Sequence, residues 1–164
     1  MQVPTRRSDK KPRVKVDAIM TTAKFEILKA ELDKLLTVKR PREAADVQRL
    51  ALMGDFSENA GYQLAKSRLR GINNRILAIE DLLKRAEIIE KSADNSIVRI
   101  GHLITVAVNG KEKIYQILGS AESDPSFGVI SYSSPLGSAL LGQPIGAIVK
   151  IGEAEVEYKI LKIE

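Results

Sequence analysis

Asp55 and Glu58 are the residues whose type and spacing could do chemistry, inside the stretch Gly54-Asp55-Phe56-Ser57-Glu58-Asn59. Carboxylates three residues apart at a helix start have an ordinary use. Asp at the N-cap accepts from free backbone N–H groups, Glu three residues later closes a capping box, and both complement the helix dipole. They have a second use as oxygen ligands for Mg²⁺. That ion wants six oxygens and usually takes only one or two protein carboxylates, with water or phosphate supplying the rest. The pair could therefore complete a metal shell held mainly by a partner, but could not hold a metal alone. Residue type leaves capping and ligation both open.

Other chemistries are poorly supplied. The 164 residues contain no Cys and no Trp, three Phe, four Tyr and the single His102. Disulfides, thiolate metal sites and a histidine-rich zinc site are excluded, and a large aromatic-lined pocket is not expected. No apolar run is long enough to span a membrane. The basic N-terminus lacks the apolar segment of a secretory signal, so the expected compartment is the cytoplasm.

The net charge of +5 divides unevenly: +4 over residues 1–17, +2 over 18–96 and −1 over 97–164. Residues 1–18 read as a basic, Pro-containing, disordered extension attracted to polyanions, or as a solubilising appendage. Between 37 and 76, Lys39, Arg40, Arg42, Arg49, Lys66, Arg68, Arg70 and Arg75 face only four carboxylates. Such a cluster either tracks a nucleic-acid backbone or lines an ordinary solvated coiled-coil face.

The positioning elements follow from periodicity. Tyr62, Ala65, Leu69, Ile72, Ile76, Ile79, Leu83 and Ala86 recur at alternating steps of three and four. This seam predicts a helix over about 57–91, on the order of 50 Å long. Phe25, Leu28, Leu32 and Leu35 show the same steps behind Thr22 as the expected N-cap, and Ala44, Val47, Leu50 and Ala51 add a second patch. Pro41 between them predicts a kink or short break. The expectation is an antiparallel coiled-coil hairpin over 19–92 with its tip near 54–59, where Gly54 suits a left-handed helix end.

Beyond residue 96 the period changes to two. Ile104, Val106 and Val108 alternate into Asn109-Gly110, a two-residue hairpin signal, with Ile114, Ile117 and Leu118 on the returning strand. Further strands are expected at 128–132, 147–151 and 156–163, and Ser134-Pro135 opens a short helix over 136–141. The fold class is α+β, with residues 97–164 as a small sheet domain carrying one helix.

These residues resemble the bacterial Gre transcript-cleavage factors, GreA and GreB. The motif from Gly54 to Tyr62 resembles the family's tip sequence, and Ser131, Ser134-Pro135 and Ala139-Leu140-Leu141-Gly142 resemble a family segment of the C-terminal domain. The likeness spans residues 19–164, and the basic segment after Tyr62 looks closer to GreB. It implies that the 97–164 domain is FKBP-like and docks at the rim of the secondary channel of RNA polymerase, while the coiled coil enters the channel. Asp55 and Glu58 would help hold a shared Mg²⁺ in the polymerase active site, and the polymerase would hydrolyse backtracked RNA. Lys66, Arg68, Arg70 and Arg75 become candidates for contacting the RNA 3′ end, with Arg68 and Arg75 the better pair because they lie seven residues apart on one face. The resemblance implies a monomeric, DNA-associated transcription regulator that is not an enzyme alone. Gly61 departs from the pattern by replacing an acidic residue, and so do the apolar Leu52 and Met53. The competing readings are a non-cleaving channel-binding regulator and a prolyl isomerase, the latter served only by Tyr115, Phe127, Tyr132 and Tyr158.

Overall fold

The structure, a computed structural model, describes residues 17–53, 60–89, 94–152 and 155–164. The chain is α+β: a helical hairpin followed by a curled mixed sheet with one short helix. The helices are α1 (Thr22–Lys34), α2 (Arg40–Ala51), α3 (Ala60–Lys84) and α4 (Pro135–Leu140), and a π-helical turn over Leu35–Lys39 joins α1 to α2. A short strand β1 (Ile19–Met20) pairs in parallel with β2 (Glu87–Ile88) at the base of the hairpin. The remaining strands are β3 (Leu103–Val108), β4 (Lys111–Leu118), β5 (Val129–Ser131), β6 (Ile148–Ile151) and β7 (Val156–Ile163). They form one sheet in the order β5-β4-β3-β7-β6, with only β4 and β5 parallel.

The seam read from the sequence is the packed face. Leu28, Leu35, Ile76 and Ile79 are buried with Met20, and Phe25, Leu32, Ile72, Leu83 and Ala86 pack against them. Leu64 and Leu77, which fall between seam positions, are exposed. The cross-hairpin pairs Glu31–Arg75 and Glu43–Arg68 run in opposite sequence directions, which establishes the antiparallel arrangement.

Pro41 does not break the first arm. Helical structure runs without interruption from Thr22 to Ala51, and the backbone N–H of Arg40 bonds to the carbonyl of Leu35, five residues back. Proline cannot donate to a residue four back and its ring crowds that carbonyl, so widening the preceding turn accommodates it. The widened turn also moves the seam by one residue. An α-helical continuation from Leu35 would turn Lys39, Arg42, Asp46 and Arg49 inward, whereas one extra residue selects Arg40, Glu43, Val47 and Leu50. Glu43, Val47 and Leu50 are half-buried while Lys39, Arg42 and Arg49 are exposed, although Asp46 is half-buried and Arg40 exposed; Ala44, expected in the apolar patch, is exposed.

Two helix boundaries also differ from expectation. The N-cap of α1 is Thr21, not Thr22: its backbone is extended and its hydroxyl accepts from the N–H of Lys24 at 3.2 Å. Helix α3 stops at Lys84 although the seam continues to Ala86, and its 25 described residues span about 38 Å. The seam ends there because the backbone is used otherwise: Glu87 N–H bonds to Ala18 O and Ile89 N–H to Met20 O. Tertiary pairing outweighs helical periodicity at this end. Ala18 is buried and Asp17 is hydrogen-bonded, although both were read with the disordered extension.

The sheet domain follows the sequence closely. Ile104, Val106 and Ile117 are buried with Ile130, Leu140 and Ile160 in one core. Asn109 (φ 52°) and Gly110 (φ 73°) make the β3–β4 turn with two left-handed residues, the geometry that matches strand twist in a two-residue hairpin. Ser134 caps α4 through the N–H of Gly137, with Pro135 in the first turn.

Candidate functional site

Asp55, Glu58 and the proposed left-handed Gly54 lie outside the described residues. In sequence they fall between Met53, which follows the end of α2, and Ala60, the first described residue of α3. What is described is the frame on either side. Leu52 and Met53 are 84% and 67% exposed, so they do not fill the hairpin. The described first turn of α3 contains Gly61 and no acidic residue. Among the described residues no three His, Cys, Asp or Glu come together as a metal site.

The four candidate RNA-contacting cations on α3, Lys66, Arg68, Arg70 and Arg75, separate into two faces. Arg75 reaches across to α1 and donates through Nε and Nη2 to the two carboxylate oxygens of Glu31, each at 2.8 Å. The hydrogen bond from Arg75 lowers the pKa of Glu31 and raises that of Arg75. Arg68 lies 3.7 Å from Glu43 of α2, close enough for attraction but too long for a hydrogen bond. The two residues expected to form the better RNA-contacting pair are thus placed together on one face, where each has an acidic partner across the hairpin.

Lys66 and Arg70 lie one helical turn apart on another face. The ammonium of Lys66 sits 5.3 Å from the centre of the Tyr62 ring, within cation–π range. With Val47 of α2, Leu69, Asn73 and Asn74, these residues line a shallow groove of about 380 Å³ beside the tip half of the hairpin. A groove offering two cations, an aromatic face and two side-chain amides has the parts that bind a single-stranded nucleic acid. The asparagines carry no charge and so escaped a reading based on Lys and Arg. The spacing 62, 66, 69/70, 73 marks one helical stripe and could have found them.

The base of the hairpin carries a second set of contacts that the sequence did not suggest. The carboxylate of Asp17 accepts from the backbone N–H and the hydroxyl of Ser120, and Glu122 Oε1 accepts from the N–H and hydroxyl of Thr21 at 2.7 and 2.8 Å. The signal was weak because each partner lies more than 100 residues away in sequence.

In the sheet domain Tyr115, Tyr132 and Tyr158 pack against the core while Phe127 is 83% exposed. No helix among the described residues is long and apolar enough to cross a membrane.

Comparison with known proteins agrees with the two-part architecture. A family profile described as the N-terminal part of a transcription elongation factor matches residues 18–88, and one described as the C-terminal part of GreA/GreB transcription elongation factors matches 93–164. Transcription elongation factor GreA of Staphylococcus carnosus is 39% identical over 150 residues, covering 88% of this chain and 94% of the relative. GreA of Thermomicrobium roseum is 42% identical over 134 residues, covering 80% and 86%. These relatives are GreA factors, so the leaning toward GreB read from the basic segment is not supported. The crystal structure of GreA factor homolog 1 from Thermus thermophilus aligns over 88% of this chain and 97% of its own at 25% identity, with a TM-score of 0.42. The chain belongs to the GreA/GreB family of transcription elongation factors.

Proposed function

We propose that this elongation factor inserts its hairpin into the secondary channel of RNA polymerase and stimulates the polymerase's intrinsic hydrolysis of backtracked RNA, which rescues arrested complexes. The observation that carries the reading is the arm itself. Helix α3 alone spans about 38 Å and packs against α1 along an apolar seam at its base, and in sequence Asp55 and Glu58 fall between the end of α2 at Ala51 and the described start of α3 at Ala60. Chemistry delivered on a rod is suited to an active site at the bottom of a channel in another molecule.

The donor set fits a shared ion. Two carboxylates are too few to hold Mg²⁺ alone and suitable to complete a shell whose other oxygens belong to the polymerase and the RNA. A bound Mg²⁺ at that position would supply Lewis-acid activation for phosphodiester hydrolysis. This chain's own contributions are the two carboxylates, their placement by the arm, and cations that hold the RNA. It is not catalytic alone and acts as a monomer in the cytoplasm. Lys66 and Arg70, in the groove with Tyr62, are the leading RNA contacts. Arg68 and Arg75 join them only if their carboxylate partners on α1 and α2 release them.

The test is transcript cleavage by stalled, backtracked complexes of the cognate polymerase. Wild-type factor should accelerate cleavage, and Asp55→Asn/Glu58→Gln should lose roughly 100-fold of that stimulation while still binding. A factor that binds and never accelerates cleavage, with or without the substitutions, is instead a channel-occupying regulator. The retained carboxylates speak against that alternative.

A further inference from the structure

We infer that Gly119, Ser120 and Glu122 form a clamp that fixes the direction of the hairpin arm on the sheet domain, with Gly119 as its positioning residue. These three lie in the loop that follows β4. The loop receives the segment leading into α1 at three successive points. Ser120 holds Asp17, Gly119 lies against the backbone of Ile19, and Glu122 holds Thr21, the N-cap of α1.

Gly119 is a matter of space. A Cβ built there would lie 1.8 Å from the carbonyl oxygen of Ile19 and 2.8 Å from its carbonyl carbon. Both are backbone atoms of β1, so no side-chain rotation relieves the overlap. Ile19 is itself tied to the end of α3, because β1 pairs with β2 through Glu87 N–H to Ala18 O and Ile89 N–H to Met20 O. Any displacement of β1 from the loop therefore moves the base of both arm helices together.

The loop has its own anchor in the sheet. The hydroxyl of Ser120 lies 2.9 Å from that of Ser131 in β5, and Tyr132 N–H bonds to Leu118 O. Contacts thus run without a gap from β5 through the loop to β1 and on to α1 and α3. Glu122 also supplies an acceptor to the backbone N–H of Thr21, beside the free donors at the start of α1, where negative charge complements the helix dipole. A lever arm magnifies any rotation at its base, so a small loss of register here displaces the distant tip by much more. The value of the clamp for cleavage rests on the proposed function, whereas its geometric effect is measurable without polymerase.

The chain contains no cysteine, so Ser67→Cys on α3 and Lys113→Cys on β4, both exposed, give a uniquely spin-labelled pair for pulsed dipolar distance measurement. The unclamped backgrounds are Gly119→Ala and, where that variant does not fold, Glu122→Ala, which removes the acceptor for Thr21 without adding an atom. The clamp predicts one narrow distance peak in the otherwise wild-type protein. It predicts a displaced or broadened distribution in either variant, with far-UV circular dichroism unchanged, and recovery of the narrow peak in Glu122→Gln, which keeps an oxygen acceptor. Narrow, superimposable peaks in the parent and both variants would overturn the inference. In cleavage assays the variants should lose stimulation that the parent has. Full stimulation despite a broadened distribution would overturn the positioning role, while a parent that never stimulates would instead count against the proposed function.

Discussion

The two halves of the hairpin are built differently. Toward the base, Met20, Leu28, Leu35, Ile76 and Ile79 close a continuous apolar core with Phe25, Leu32 and Ile72 around it. Toward the tip, α2 has no buried residue, Ala65 is the one buried position in the described start of α3, and Leu52, Met53 and Leu64 face outward. The base half buries the apolar surface that holds the helices together. The tip half displays cations, amides, an aromatic ring and apolar side chains that stand exposed among the described residues. The difference teaches that the arm's stability and its chemistry are separated along its length, so a change at one end should leave the other largely intact.

The largest test of that separation is in the base. Ile79→Ala opens a cavity among packed side chains and should cost about 3 kcal/mol, read as a lower midpoint in urea unfolding. The matching change near the tip, Leu52→Gln with Met53→Gln, should move stability by less than about 0.5 kcal/mol, because neither side chain is buried. Comparable losses from the two variants would break the comparison.

A smaller effect is expected from the ion pair between α1 and α3. Both partners are substantially exposed, so Arg75→Gln should cost about 0.5 kcal/mol at neutral pH. The pH dependence fixes the sign. The Glu31 pKa is lowered in the folded state, chiefly by the hydrogen bond from Arg75, so the stabilisation is present above the ordinary glutamate pKa. It is lost as pH falls through the lowered folded value, and the Arg75→Gln variant should converge on wild type in acid. A deficit that persists unchanged into acid would mean that packing of the Arg75 side chain, and not its charge, holds the two helices there.

The sequence disclosed much of this fold because its periodicities are long and uninterrupted. The α3 seam and the alternation at Ile104, Val106 and Val108 each predicted the buried face by residue. What it concealed were effects of partners distant in sequence or of altered helix geometry. Pro41 was readable as a disturbance, but a break and a widened turn carry the same local signal, and only the inward Glu43 and outward Ala44 tell them apart. The early stop of α3 depends on Ala18 and Met20, more than 60 residues upstream. At the site, charge alone grouped Lys66, Arg68, Arg70 and Arg75. Geometry divides them, because Glu31 and Glu43 arrive from the opposite helices.

The central claim is that Asp55 and Glu58 supply half of a metal site. The most direct measurement is the dependence of stimulated cleavage on Mg²⁺ concentration, with saturating factor on backtracked complexes of the cognate polymerase. If the carboxylates complete the shell, Asp55→Asn should shift the half-saturating Mg²⁺ concentration upward by roughly 10-fold or more relative to wild type, with partial recovery of rate at high Mg²⁺. An identical Mg²⁺ dependence for wild type and Asp55→Asn would contradict the account and leave the pair as caps of α3.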